Sequence, residues 1–184
     1  MRKILLTSAG FETKRILEIF QGLLDKPPSE SKALFIPTAA NFPGAISVLP
    51  KCMNDLLKAG IPSQNITVFD LHRNMETGEL CQYDVVYFTG GSPEYLLERI
   101  NKTGFNKPLE EFINNGGTYV GVSAGSIVAT NNLPGSLKYI NCTLSVHTSS
   151  GTNSGVINTL ENPHIDLTDH NAVLILDDKC EVIA

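Results

Sequence analysis

The chain has 184 residues, 42% hydrophobic and 18% charged, which fits one globular domain spanning 1–184 and excludes a collagenous, coiled-coil or disordered chain. Fourteen Lys plus Arg stand against nineteen Asp plus Glu, a net charge of −5 without a dense basic cluster, so nucleic acid is not an expected partner. The first apolar run stops at Thr7-Ser8 and no run approaches the ~18 apolar residues of a membrane span, so the expectation is a soluble cytoplasmic protein without a membrane partner.

In chain order, Ile4 to Thr7 predicts a first strand, and Ile16, Leu17, Ile19, Phe20, Leu23 and Leu24 then recur at helical spacing until Asp25-Lys26-Pro27-Pro28. Ala33 to Ile36 predicts a second strand ended by Pro37, and one helix is expected from Ala45 to Ala59, broken by Gly60-Ile61-Pro62. Ile66 to Phe69 predicts a third strand and His72 to Gly78 a polar connection. Val85 to Phe88 predicts a fourth strand, followed by a helix from Pro93 and another from Pro108 to Asn115, which ends at Gly116-Gly117. Thr118 to Val122 predicts the fifth strand, running straight into Ser123, and Ala172 to Ala184 reads as a closing β-hairpin. The alternation gives an α/β class: a doubly wound, mainly parallel sheet flanked by helices. Cysteines at 52, 81, 142 and 180 form no C-x-x-C pair or zinc spacing and read as free buried thiols, with no metal expected.

The strongest local signal is Gly121-Val122-Ser123-Ala124-Gly125, a G-x-S-x-G placed between a strand and a helix-prone stretch. A serine on such a turn projects its hydroxyl from the carboxyl edge of the sheet, and the next N–H, from Ala124, faces a developing oxyanion. Thr89-Gly90-Gly91 ends the neighbouring strand at the same edge and offers a second donor.

Three runs occur in order along nearly the whole chain: Phe35-Ile36-Pro37-Thr38-Ala39, Tyr87-Phe88-Thr89-Gly90-Gly91-Ser92 with Leu96-Leu97 behind it, and the Ser123 motif. Together they resemble the dipeptidase E family, serine peptidases that include cyanophycinases and share the class I glutamine amidotransferase-like fold. The resemblance implies hydrolysis of small aspartyl or other acidic peptides by a Ser nucleophile, a His base and an acidic or polar third group, without metal or organic cofactor. It implies Ser123 as nucleophile and the Gly91 and Ala124 N–H groups as oxyanion hole. The family's turn after the double glycine usually carries Asn, whereas this chain has Ser92. A glutamine amidotransferase would carry Cys where Ser123 stands.

Of the histidines, His72 and His170 read as surface residues. His147 follows the alternating Ile140, Cys142, Leu144, Val146 and falls at a strand end, where an imidazole can swing over the sheet edge. His164 competes because Asn162-Pro163-His164 resembles the Pro-His of dipeptidase E. The register of the tail from Ile165 to Ile175 with the family's closing strands favours His147. No Asp or Glu lies between Ser123 and Glu161, where dipeptidase E carries its acid. A Ser-His dyad is one consequence; an Asn or Ser orienting the base is another, with Asn131, Asn132 and Asn141 as candidates, and for a carboxylate from elsewhere Asp166 or Asp169 are the first to examine. Arg73 and Arg99 are candidates to meet an acidic substrate. The competing reading is a catalytically weak or inactive member that binds a small metabolite or a protein partner. The oligomeric state stays open, a homodimer included.

Overall fold

The structure, a computed structural model, describes residues 1–183. Strands and helices alternate as β1 (Lys3–Thr7), α1 (Lys14–Leu23), β2 (Ala33–Ile36), α2 (Pro43–Ile46), α3 (Leu49–Lys58), β3 (Ile66–Val68), α4 (Thr77–Leu80), β4 (Val85–Phe88), α5 (Pro93–Thr103) and α6 (Asn106–Asn114). They continue with β5 (Thr118–Val122), α7 (Ala124–Ile127), β6 (Thr143–Ser145), β7 (Gly155–Val156), β8 (His164–Asp166), β9 (Ala172–Leu176) and β10 (Lys179–Ile183). Among the described residues, eight strands form one sheet in the order β3-β2-β4-β5-β1-β9-β10-β7. The run from β3 to β1 is parallel, and β9, β10 and β7 add antiparallel to it. β6 and β8 pair separately as a parallel ribbon.

The short apolar runs form strands because both faces are covered, which lets successive side chains enter opposite cores. Leu5, Phe35, Tyr87 and Val120 point into one core with Ile16 and Phe20 of α1 and Leu56 of α3. Ile4, Leu6, Ile36, Phe88 and Tyr119 point into the other with Leu96 and Ile100 of α5 and Leu109 and Phe112 of α6. The architecture is therefore the expected α/β sheet with helices on both faces. No helix among the described residues is long and apolar enough to cross a membrane.

Three local expectations are corrected. The single helix expected from Ala45 to Ala59 is split into α2 and α3, because Pro50, in the first turn of α3, cannot continue a helix from Ile46. α6 begins at Asn106, just after Gly104 closes α5 in a left-handed conformation (φ 68°). The polar connection contains α4, a single turn whose one buried residue, Leu80, carries no periodicity to read. The closing hairpin turns at Asp177 and Asp178, with Asp177 left-handed at φ 51°. Cys52, Cys142 and Cys180 are buried free thiols, but Cys81 is exposed. Burial pushes the Cys142 thiol up to about 12 and Cys180 to about 11, keeping both protonated.

Two glycines should respond in opposite directions. A Cβ at Gly121 would meet the Gly125 carbonyl carbon at 2.6 Å, whereas one at Gly22 in α1 meets nothing within 4 Å. Thermal melts should show Gly121→Ala destabilised by about 1–3 kcal/mol and Gly22→Ala stabilised by up to about 1 kcal/mol.

Candidate active site

Adjacent parallel strands β4, β5 and β1 end at one edge of the sheet, so the residues following them, Thr89-Gly90-Gly91, Ser123 and Ser8, converge there. Ser123 has φ 48° and ψ −103°, a conformation that costs a non-glycine residue about 1–3 kcal/mol and persists only when its surroundings over-determine it. Those surroundings are visible. Ser123 N donates to the Thr7 carbonyl at 2.9 Å, and the buried Ser126 hydroxyl reaches both Thr7 O and Gly121 O at 2.8 Å. The Tyr119 hydroxyl, at the heart of the sheet, donates to Gly125 O at 2.6 Å. Glycine is required on either side of the serine because the backbones nearly touch: a Cβ at Gly125 would stand 2.6 Å from Phe88 Cβ.

His147 lies two residues beyond β6, in a left-handed conformation at φ 57°. Its Nε2 is 3.3 Å from Ser123 Oγ, at the long end of the hydrogen-bond range. Its Nδ1 is 2.7 Å from Asp169 Oδ1. Asp169 follows β8 on the return toward β9, which carries it back to the same edge. The pair is about half exposed. Burial alone would raise the Asp169 carboxyl. The hydrogen bonds from His147 and Ser8, with the nearby charges of His147 and Lys51, outweigh it and hold the group below its ordinary 3.8. An ionised Asp169 therefore accepts from Nδ1–H, the tautomer that leaves Nε2 free to take a proton.

Ser8 joins these parts. Fully buried, its hydroxyl donates to Asp169 Oδ1 at 2.9 Å, accepts from the His147 backbone N–H at 2.7 Å and lies 3.2 Å from His147 Nδ1. It thus anchors the strained backbone of the imidazole and one oxygen of its carboxylate at once.

Gly91 has φ 141°, and a Cβ there would collide with the Ala39 carbonyl. Among the described residues neither the Gly91 N–H nor the Ala124 N–H has an acceptor. Both belong to the segments that follow β4 and β5, at the edge where Ser123 lies. A cavity of about 300 Å³ opens beside them, lined by Ser123, His147, Gly90 and Gly91 and by the segment from Phe42 to Cys52.

The other expected residues lie elsewhere. His164 opens β8, with Nδ1 2.8 Å from Thr143 Oγ1 and Nε2 2.9 Å from Ser145 Oγ, so it staples the β6-β8 ribbon. Asn131 donates to Asn141 and Asn162, Asn141 donates to Thr159 O, and Asn132 brackets Leu144 through its N–H and C=O. None of these amides bonds His147; Asp169 does. Arg73 forks onto Glu79, and Arg99 donates to Leu71 O at 2.6 Å. Ser92 caps α5 by accepting from Tyr95 N at 3.2 Å. Ser8 was not anticipated, and its signal is only positional: it is the first residue after a strand adjacent to the one that delivers Ser123. Among the described residues no group of three or more His, Cys, Asp and Glu is placed to hold a metal.

The model of peptidase family S51 matches residues 4–165. Uncharacterized peptidases of Listeria innocua and Pasteurella multocida are 26% and 24% identical over 133 and 134 residues, 72% of this chain in each case. The matched region covers 62% of the length of each of these relatives. A crystal structure of a candidate peptidase E protein from Listeria monocytogenes superposes with a TM-score of 0.72 at 20% identity, covering 100% of this chain and 98% of that one. A peptidase from an acI-B1 Actinobacterium gives 0.71 at 17% identity, covering 100% and 88%, so the fold is shared across nearly the whole chain. By the extent of the family match, the chain belongs to peptidase family S51.

Proposed function

We propose that the chain is a serine peptidase that cleaves short peptides through an acyl-enzyme on Ser123. One observation carries this reading: a single imidazole, His147, bridges Ser123 Oγ at 3.3 Å and Asp169 Oδ1 at 2.7 Å. Ser123 Oγ attacks the scissile carbonyl as His147 Nε2 takes its proton, and the developing oxyanion is met by the Gly91 and Ala124 N–H groups. Collapse expels the amine, which receives the proton from Nε2. Water, deprotonated by the same imidazole, then releases the acyl group. Asp169 and Ser8 hold the ring for both halves. An inert binding module has no use for a strained serine backed by an aligned base and carboxylate, so the non-catalytic reading is disfavoured. The aspartyl preference implied by the resemblance has one cation of the cavity to rest on, Lys51, which already pairs with Glu12.

A fluorophosphonate probe should label the wild-type protein and fail on Ser123→Ala. His147→Ala should reduce labelling and peptide hydrolysis by about 10²-fold or more, while His164→Ala leaves both within a few-fold at matched melting temperature. Equal losses in the two histidine variants would overturn the assignment of the base.

Ser8→Ala deletes a hydrogen bond to a carboxylate and the anchor of the His147 backbone, and kcat should fall by about tenfold or more. KM should be largely unchanged, because Ser8 acts through His147 and Asp169. Ser8→Thr, which restores the hydroxyl, should recover part of the loss.

Asp169→Asn should lower kcat by several powers of ten. Because the folded carboxyl sits below its ordinary 3.8, the stability it contributes is complete above that value and is lost as the pH falls through the lowered folded value. The difference in Tm between wild type and Asp169→Asn should therefore shrink as the pH falls below the ordinary carboxylate value.

A further inference from the structure

A buried carboxyl that the proposed chemistry does not use lies beside the loop that carries Ser8. Asp55 of α3 is 7% exposed, and its Oδ2 accepts both from Tyr87 Oη at 2.7 Å and from Phe11 N at 3.1 Å. Tyr87 belongs to β4, just ahead of Thr89-Gly90-Gly91, and Phe11 to the loop 8–13 that joins β1 to α1. One oxygen therefore joins α3, the strand that delivers the double glycine and the loop that begins at Ser8. Gly10 crosses over it at φ 89°, so closely that a Cβ there would collide with Asp55 Oδ2. The Phe11 ring stacks on Phe20 with centroids 4.6 Å apart and meets Tyr87 edge-on at 5.9 Å, and Glu12 pairs with Lys51, one turn ahead of Asp55 on α3.

A carboxyl in this place is costly. Burial raises it above its ordinary 3.8, with the bonds from Tyr87 and Phe11 and the charges of Lys51 and Lys58 acting the other way, so at neutral pH the ionised group costs the fold stability. An apolar side chain would fill the same space between α3 and the sheet without that cost, but it would leave the Phe11 N–H and the Tyr87 hydroxyl without their acceptor. What the carboxyl supplies is a fixed distance between the loop and β4.

Resting on the serine-peptidase reading above, we infer that Asp55 is a positioning residue for the His147–Asp169 pair and acts on it through the loop that carries Ser8. Ties hold this loop directly after Ser8: Gly10 N donates to Thr7 Oγ1 at 3.1 Å, Phe11 N to Asp55, and Glu12 pairs with Lys51. The first fastens the loop to its own strand, and only the Asp55 tie carries it across to β4 as well as to α3. Ser8 in turn makes two short bonds, 2.7 Å from the His147 N–H and 2.9 Å to Asp169 Oδ1, and a displacement of the loop by a few tenths of an ångström loosens both. Asp55 is not among the residues lining the cavity beside Ser123, so its loss changes how the imidazole is held and not what the cavity presents to substrate.

The test follows the rate of fluorophosphonate labelling by the full chain, kcat and KM for a fluorogenic peptide that the wild type cleaves, and the downfield proton resonance of His147 Nδ1–H. Asp55→Val should slow labelling and lower kcat by about tenfold, with KM within about twofold of wild type and the His147 resonance weakened. Asp55→Asn, which keeps an acceptor oxygen, should stay within about threefold of wild type. Asp55→Val combined with Ser8→Ala should be no slower than Ser8→Ala alone, because both act on one chain of contacts. Where circular dichroism shows Asp55→Val unfolded, Asp55→Ala takes its place with the same expected losses. Labelling of Asp55→Val at the wild-type rate, or losses that multiply in the double variant, overturns the inference, makes Asp55 a packing residue and leaves the peptidase reading intact. A wild type that takes no fluorophosphonate overturns the peptidase reading, and the His147 resonance then decides the inference separately: weakened in Asp55→Val it supports the tie through Ser8, unchanged it overturns it.

Discussion

The left-handed backbone of Ser123 is the constraint on which the rest of this structure depends. Its φ of 48° is unfavourable for a residue with a side chain, and the surrounding groups outbid that cost by fixing the elbow from several directions. The Thr7 carbonyl receives both Ser123 N and Ser126 Oγ, tying the elbow to β1. Tyr119 ties it to the strand that delivers it, and Gly121 and Gly125 let α7 fold back onto β5 and β4 without room for a methyl group. A serine held this way has its backbone, and so the position of its Cβ, set by the sheet.

The same edge then accounts for the other members of the site. Parallel strands place their carboxyl ends together, and β4, β5 and β1 are neighbours. A double glycine, Ser123 and Ser8 meet because three strand ends meet. His147 and Asp169 come from outside this parallel core, from the segments flanking the β6-β8 ribbon. Ser8 is the contact by which the core holds them, bonding the His147 backbone and the Asp169 carboxylate with one hydroxyl. His164, on that ribbon, serves its internal hydrogen bonding, which explains why a histidine in a suggestive Pro-His context makes no contact with Ser123.

The wall of the cavity beside Ser123 comes from a different part of the chain again, the α2–α3 segment, where the break at Pro50 separates two short helices and leaves Phe42, Ala45 and Val48 lining the cavity. The geometry of Ser123 is fixed by β1, β4 and β5 rather than by this wall.

The sequence by itself determined the layered α/β class, because apolar runs of strand length and helical periodicities are local properties that burial on both faces of a sheet imposes directly. It also determined the elbow, since G-x-S-x-G between a strand and a helix-prone stretch states in five residues what the turn requires of its backbone. Helix breaks were less legible: Pro50 in a first turn looks the same as a proline inside a longer helix until the packing of α2 against the site is known. The carboxylate partner of the imidazole was decided only by the tertiary structure. Asp169 lies far from both Ser123 and His147 along the chain, and no local pattern distinguishes it from Asp166 three residues earlier. The difference between them is position: Asp166 ends β8 beside His164, whereas Asp169 lies beyond the strand within hydrogen-bond reach of His147 and Ser8. Ser8 was illegible for the same reason, because a buried serine acquires a role only from the groups that the fold brings within 3 Å of it.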